Sequence, residues 1–526
     1  MMSNQRPVAQ VSKPAVSPIS KSAWRDRPPT FPTVRRPAGL ETRDTADLEV
    51  CATPLSRRAL LQRASTGFGW LAFAALFGRH AAAASLPNSP FEIRHSQFSL
   101  PHSPARAKRV IFLFMEGGPS QVDTFDPKPR LRAENGKPFP LRIDATQFDA
   151  IGKTLASPWD FSPRGQCGTP VSELFPNLGA CADDLCVIRS MSSQFPEHAQ
   201  ACYALHTGSG MQGRPSMGAW ATYGLGNESE NLPGFVVLHG GSVPLGGLAN
   251  WSSGFLPPRH EASIFNLVTD PVLENLSPTG PAAARANLHR FIAESDRTYA
   301  AQLGPHAAPV ESAIRNYELA AAMQTAVPAA ADLRDESAAT LKFYGVDASD
   351  PLKARYARQC LMARRLVERG VRFIEVSAVS GLRFVSPWDQ HGDLKRDHAR
   401  NAHIVDQPIA ALLHDLKARG LLDDTLLLWS GEFGRTPFAQ GGNGRDHNPQ
   451  GFSIWLAGGG IRGGQTYGAT DDYGYRAVDK IVTLPDLHAT ILHLLGLDHE
   501  RLTYRHGGRD HRLTDVAGRV LRDVLA

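Results

Sequence analysis

The sequence predicts an α/β protein: a mostly parallel central sheet covered by helices on both faces. Short, continuously apolar runs of strand length recur along the chain, helical stretches alternate with them, and polar residues suited to chemistry cluster just beyond the runs. The expected strands are 109–115, 185–189, 235–238, 371–376, 425–429 and 452–456. Runs without polar alternation mark strands buried on both faces. The first ends in Gly117-Gly118-Pro119, a strand feeding a turn. Among the helices, 405–416 places Ile409, Leu412, Leu413 and Leu416 on one face, and Gly420 supplies the stop. Residues 270–370 are Ala-rich, with Leu288/Ile292, Ile314/Leu319 and Leu361/Leu366 at helical spacing, and are expected to form a helical insertion. No segment repeats at a period of 20–50 residues, which excludes solenoids and propellers.

With 526 residues, 42% hydrophobic and 20% charged, the chain has ordinary globular composition. Its net charge of +5 is unevenly placed: residues 1–84 carry 12 basic and 5 acidic side chains, the remainder 44 and 46. The body therefore offers no basic surface for nucleic acid. Residues 1–55, rich in Pro, Ser, Arg and Thr, are expected to be disordered because they cannot bury enough apolar surface to offset ordering entropy. Residues 56–84 have the layout of a twin-arginine export signal: Arg57-Arg58, an apolar stretch at 68–77, then the small-residue run 81–84. The apolar stretch is shorter than the roughly 20 residues that span a bilayer. The expected partner during export is the twin-arginine translocase, and the expected location is periplasmic or extracellular, tethered to the membrane if the signal is uncleaved. No integral membrane domain is expected after cleavage. Of six cysteines, Cys51 lies in the leader; Cys167, Cys181 and Cys186 are close enough in sequence to supply a disulfide after export.

In open parallel sheets functional side chains gather beyond the carboxyl ends of the strands. After the first run come Glu116, Ser120, Asp123 and Asp126; after the second, Glu197-His198, opening a helix that ends at Thr207-Gly208. After 371–376 comes Trp388-Asp389-Gln390-His391, after 425–429 comes Gly431-Glu432-Phe433-Gly434-Arg435, and before 452–456 lies Arg445-Asp446-His447. Carboxylates and imidazoles on strand-end loops form the mixed donor set that suits zinc, manganese or similar ions. Two Asp/His clusters with Glu432 between them suggest two metals, an arrangement that clamps both oxygens of an ester displacement. His488, in the first turn of a helix, is a further candidate ligand. Ser120 and Ser192 lack the Gly-x-Ser-x-Gly setting of a serine-hydrolase nucleophile.

The segments 108–128, Trp388-Asp389-Gln390-His391-Gly392, Gly431-Glu432-Phe433-Gly434-Arg435-Thr436-Pro437, Gly444-Arg445-Asp446-His447-Asn448-Pro449 and Asp486-Leu487-His488-Ala489-Thr490, with the leader, resemble the exported family known as domain of unknown function 1501. The resemblance runs from Lys108 to the C-terminus. That family is similar to the alkaline phosphatase and sulfatase superfamily, which implies an α/β/α sandwich and one or two divalent ions, zinc, manganese or calcium, serving hydrolysis of sulfate or phosphate esters. Counting back nine residues from Thr207, as sulfatase motifs are spaced, reaches His198, so a histidine stands where that resemblance places the formylglycine precursor or the phosphatase Ser/Thr. Glu116 stands at the place of the first-strand Asp, with Asp123 as an alternative ligand. Glu432-Phe433 replaces a later Asp-His, which Asp446-His447 would supply in shifted form.

An imidazole cannot become the hydrated aldehyde of sulfatase chemistry, so a mechanism without formylglycine is expected, with His198 as metal ligand or, second, as nucleophile. The expected ligands are Asp123, His198, Asp389, His391, Glu432, Asp446, His447 and His488, with Arg435 and Arg445 pairing with the oxyanion. The expected substrate is a small-molecule or polysaccharide sulfate or phosphate ester. The competing expectation is a non-catalytic protein on the same sandwich that binds anionic glycan or serves an envelope assembly.

Overall fold

The computed structural model describes residues 101–526 apart from 145, 147, 149, 242, 270, 275, 277–280, 305, 306 and 381–385. The disordered segment and export signal expected at 1–84 lie outside the described residues.

A nine-stranded sheet organises the body. In chain order its strands are β1 (Arg109–Phe114), β2 (Leu185–Ser192), β3 (Phe235–His239), β4 (Ser263–Asn266), β5 (Phe373–Ser377), β6 (Thr425–Ser430), β9 (Phe452–Ala457), β10 (Gln465–Tyr467) and β11 (Val482–Thr483). Two further strands, β7 (Gly434–Gln440) and β8 (Gly444–Asn448), pair antiparallel with each other outside this sheet. The order across the main sheet is β10-β2-β9-β6-β1-β5-β3-β4, with β11 also against β2. Every pairing in it is parallel except those of β9, which runs antiparallel to β2 and β6. The expected mostly parallel sheet is thus observed. The antiparallel β9 has a functional consequence: its amino end lies at the carboxyl edge of the parallel strands, so the hairpin β7–β8 that precedes it is delivered to that edge.

Alternation along the strands divides the core in two, because successive side chains point to opposite faces. Ile111, Leu113, Ile374, Val376, Leu427 and Trp429 enter one cluster, which includes Tyr356, Leu361 and Leu366 of helix α5 (Pro351–Glu368) and Ile409, Leu412 and Leu416 of helix α6 (Leu394–Ala418). Phe112, Phe114, Phe235, Val237, Phe373 and Leu428 enter the other, with helices α1 (His198–Thr207), α2 (Met217–Leu225) and α7 (Leu484–Leu494). A strand that must be apolar on both faces reads as a continuous run, the pattern that marked β1 and β6.

The segment 270–370 contains α3 (Ala282–Leu303) and α4 (Ala308–Ala331), then α5, whose apolar stripe is buried against the sheet. Helix α5 is therefore part of a covering layer. Helix α6 starts at Leu394, well before the expected 405; its first turns bury few apolar residues, so apolar periodicity does not mark them in the sequence. All five body cysteines are free thiols, so Cys167, Cys181 and Cys186, close enough in sequence to supply a disulfide, form none among the described residues. Burial pushes the Cys181 and Cys186 thiols up to about 12, which keeps them protonated and unreactive. Among the described residues no helix is long and apolar enough to cross a membrane.

Candidate metal centre

Four side chains from three parts of the chain converge at the carboxyl edge of the sheet. The ligand-capable atoms of His198, Asp389, His391 and His447 all lie within 4.8 Å of one another. His198 is the first residue of α1, whose start is fixed by Glu197: that side chain accepts the backbone N–H groups of Ala199 and Gln200, both at 3.0 Å. Asp389 and His391 sit in the loop beyond β5, pressed against the β1 turn. Gly117 has φ +103°, and a Cβ there would stand 2.5 Å from the Asp389 nitrogen, so only glycine permits this approach. His447 lies on β8, directly opposite Arg435 on β7. A Cβ on Gly444 would stand 2.0 Å from the His391 carbonyl, so β8 reaches the His391 loop only through that glycine.

The three imidazoles are oriented in one sense. His198 Nδ1 donates to Glu432 Oε1 at 2.6 Å, His447 Nδ1 donates to the Pro196 carbonyl at 2.6 Å, and His391 Nδ1 donates to the Gln440 side-chain oxygen. In a neutral ring each of these acceptors holds the single proton on Nδ1, so that Nε2 presents a lone pair. All three point at one oxygen: Asp389 Oδ1 lies 3.3 Å from His198 Nε2, 2.8 Å from His391 Nε2 and 3.2 Å from His447 Nε2. The buried Nε2 of His198 has no hydrogen-bond partner of proper geometry. Three lone pairs and a carboxylate facing one point repel unless a positive charge lies among them. A divalent cation with a taste for imidazole and carboxylate meets that need, and the outer acceptors are the usual means of fixing ligand tautomers.

The surroundings adjust the charges. Burial raises the Asp389 pKa, but imidazole N–H groups that donate to it when the rings are protonated, together with Arg435 Nη2 at 2.6 Å from Oδ1, outweigh it and hold the carboxyl far below its usual range. Burial lowers His198, yet the flanking carboxylates of Asp389 and Glu432 prevail and raise it to about 9, so the metal-free ring also holds a proton on Nε2, which a bound cation would displace. Burial dominates at His447 and lowers it to about 3. Phe433 stacks on His447 with centroids 4.5 Å apart and touches His198 at 4.9 Å, walling one side of the centre. Phe148 stands edge-on to His391 at 5.0 Å. Glu116, beside Glu432, is pushed up to about 7 by burial, its Oε1 accepting from Ser386 Oγ at 2.8 Å.

The other expected site residues lie elsewhere or act otherwise. Glu432 does not face the centre: its carboxylate accepts from His198 and from the Gly117 N–H at 2.9 and 3.1 Å, making it the orienting group behind a ligand. Asp446 and His447 are consecutive in a strand and point to opposite sides, so only the histidine arrives; Asp446 instead accepts the N–H of His447 at 2.7 Å and of Phe148 at 3.3 Å. Asp123 is fully buried in a two-point pair with Arg445, at 2.7 and 3.2 Å. That pair, with a bond from Arg445 to the Thr436 carbonyl, removes the guanidinium from any substrate role. Arg435 is likewise fully buried and donates to the carbonyls of Gly117, Gly118 and Arg445 as well as to Asp389, so none of its edges is free for an oxyanion. His488 packs beneath the site, its Nε2 2.7 Å from the Leu205 carbonyl, and burial lowers it to about 4. The two Asp/His clusters therefore form one centre, and a single such group exists among the described residues. Gln440 and the Pro196 carbonyl carry no motif signal; Phe433 lies within the segment 431–437 but was not assigned a role, and Glu116 was legible only by its place after β1.

Fold and site together define an α/β sandwich protein with a candidate mononuclear metal centre of three histidines and one aspartate. The family described as "Protein of unknown function (DUF1501)" matches residues 107–525, and the chain belongs to it. No curated protein matches the chain. Among solved structures it is similar to the PsFucS1 sulfatase from Pseudoalteromonas sp., at 15% identity over 75% of this chain and 69% of that one, TM-score 0.32. It is also similar to the alkaline phosphatase from the Antarctic bacterium TAB5 (10% identity, 75% and 99% covered, TM-score 0.32) and to a phosphonate monoester hydrolase from Silicibacter pomeroyi (12% identity, 67% and 71% covered, TM-score 0.31). These likenesses are too distant to assign an activity.

Proposed function

We propose that the chain is an exported, divalent-metal-dependent hydrolase of sulfate or phosphate esters that works without formylglycine. The observation that carries the reading is the set of three imidazoles whose Nδ1 atoms are each committed to an acceptor while their Nε2 atoms converge with Asp389 Oδ1. His198, Asp389, His391 and His447 would hold one ion, zinc being better matched to this nitrogen-rich set than calcium, which prefers oxygen. Such an ion supplies Lewis acidity and lowers the pKa of water towards neutrality. Glu432 orients His198, Arg435 fixes the Asp389 oxygen, and Phe433 excludes water from the buried side. Counting a divalent ion with Asp389, Glu432 and Arg435, the centre carries a net charge of about +1, which favours an anionic ester. The half-exposed rim at Asp389, His391 and Phe148 is the side open to substrate. Export rests on the Arg57-Arg58 leader.

A second reading follows from the donor count: four protein donors fill a tetrahedral zinc shell, the habit of structural sites, and the two nearby arginines are saturated. That is the behaviour of a binding protein on this sandwich, taking anionic glycan. Elemental analysis of chelator-free protein, with aryl phosphate and sulfate turnover for wild type and His447→Ala, separates the readings. Near-stoichiometric metal with turnover, both lost in the variant, supports the hydrolase. Stoichiometric metal without turnover on either ester favours the binding protein, and wild type that takes up no zinc or manganese refutes the centre.

A further inference from the structure

One carboxylate lies in the middle of the sheet on a face that is otherwise apolar. Glu375 is the central residue of β5, fully buried, and shares its face with Phe373 among Phe112, Phe114, Phe235 and Val237. Its Oε1 accepts the indole N–H of Trp251 at 2.8 Å, and its Oε2 lies 3.2 Å from Nε2 of His206, which is equally buried. His206 Nδ1 is 2.8 Å from the Cys202 carbonyl, an atom that only accepts, so Nδ1 bears a proton. A bare Nε2 lone pair would then face a carboxylate oxygen at 3.2 Å; one more proton turns that repulsion into an ion pair. His206 also sits in the last turn of α1, where the helix dipole favours a cation, and its ring packs on Phe114 at 4.8 Å and Phe112 at 5.5 Å.

The groups facing His206 agree with that charge. Burial lowers its pKa, but Glu375 across the contact and the more distant Glu432 raise it above the ordinary value. The other neighbours are uncharged: burial holds the Cys202 thiol protonated, and burial keeps His488 neutral so that it does not oppose a cation at His206.

Helix α1 begins with His198 and ends beside His206, so whatever fixes its last turn fixes the register of the first. We propose that Glu375 and His206 are positioning residues: they form a buried carboxylate–imidazolium pair that pins α1 to the sheet and so sets where His198 presents its Nε2. The role in metal binding rests on the reading of His198 as a ligand; the pair itself does not. Through Trp251 the same carboxylate also ties down the turn Gly247–Trp251, and Tyr203 of α1 donates to the Gly246 carbonyl at 2.8 Å, so helix and turn are braced together.

The test uses the full chain in two measurements. In protein labelled with nitrogen-15 at histidine, the His206 signal, identified by its loss in His206→Phe, is expected to show both ring nitrogens protonated at pH 7.5 and to revert to a neutral ring in Glu375→Gln. A neutral ring in wild type overturns the pair. Zinc affinity, measured by competition with a chromophoric chelator, is expected to weaken in Glu375→Gln by several-fold, less than the roughly 10–100-fold that groups bonded directly to a metal ligand contribute. The double variant Glu375→Met with His206→Phe replaces the pair by apolar groups that suit the surrounding rings, a change that cores commonly tolerate, and should show the same loss. Wild-type zinc affinity in that folded double variant overturns the positioning role alone. A wild-type chain that binds no zinc overturns the metal reading and with it the positioning role, while the nitrogen-15 measurement still decides the pair.

Discussion

Glu432 is the residue at which the metal reading is most exposed to refutation, because its charge and its role as hydrogen-bond acceptor can be removed in two steps. Its Oε1 accepts both His198 Nδ1–H, at 2.6 Å, and the Gly117 N–H, at 2.9 Å, and the residue is fully buried. In Glu432→Gln the amide oxygen can serve both donors, so the imidazole keeps its orientation and loses only the charge behind it. Outer partners of ligating histidines are worth roughly 10–100-fold in affinity, and loss of charge alone belongs at the lower end. We therefore expect zinc to bind Glu432→Gln about tenfold more weakly, about 1.4 kcal/mol. Glu432→Ala removes the acceptor as well, leaving two buried donors unmet, and should lose about a hundredfold in affinity. It should also lose about 1–3 kcal/mol of stability for each unmet donor. The assay is a competition titration against a chromophoric chelator at pH 7.5, with denaturant unfolding of each metal-free variant alongside. If the alanine variant binds zinc within threefold of wild type while remaining folded, the ring of His198 is not oriented by Glu432 and the outer-acceptor argument fails.

Three other expectations concern the frame around the centre. Gly117→Ala places a Cβ 2.5 Å from the Asp389 nitrogen at φ +103°, and should cost roughly 2–5 kcal/mol, read from denaturant unfolding; unchanged stability would show that the loop beyond β5 can yield. Arg445→Met strands the buried Asp123 and should cost about 3–5 kcal/mol, most of it recovered when Asp123→Leu is added. A double variant as unstable as the single would locate the role of the pair elsewhere. His488, His398 and His260 are buried and held well below the ordinary imidazole range, at about 4, 3 and 3. The unfolded chain takes up their protons near pH 6.5, before the folded chain does, so the stability they contribute is complete above pH 6.5 and drains away as pH falls towards about 4 for His488 and about 3 for the other two. For His488 this amounts to on the order of 3 kcal/mol. Unfolding of His488→Leu as a function of pH should show a shallower acid limb, and an unaltered slope would contradict the assignment.

Local pattern was enough to reveal six of the nine strands of the main sheet and the edge at which the chemistry gathers, whereas the short β4, β10 and β11 carry no apolar run long enough to mark them. A strand covered by helices on both sides must be apolar throughout, so β1 and β6 are legible as continuous runs, and polar residues that follow such runs must stand at the carboxyl edge. His198, Asp389 and His391 could be nominated on that ground; His447, which precedes its run, reaches the edge only because β9 is antiparallel. What sequence could not decide was direction and partnership. Strand alternation turned Asp446 away while bringing His447 in, the antiparallel course of β9 delivered the β7–β8 hairpin to the site, and two separate Asp/His clusters became one centre. Arg435 and Arg445 look like anion-binding residues until the carbonyls and the carboxylate that saturate them are seen. Glu375 and His206, far apart in the chain, face each other only because β5 lies beside β1 beneath helix α1. The physical reason is common to all of these. Apolar periodicity is written in neighbouring residues, whereas the partner of a buried polar group is chosen by a fold that joins residues hundreds of positions apart.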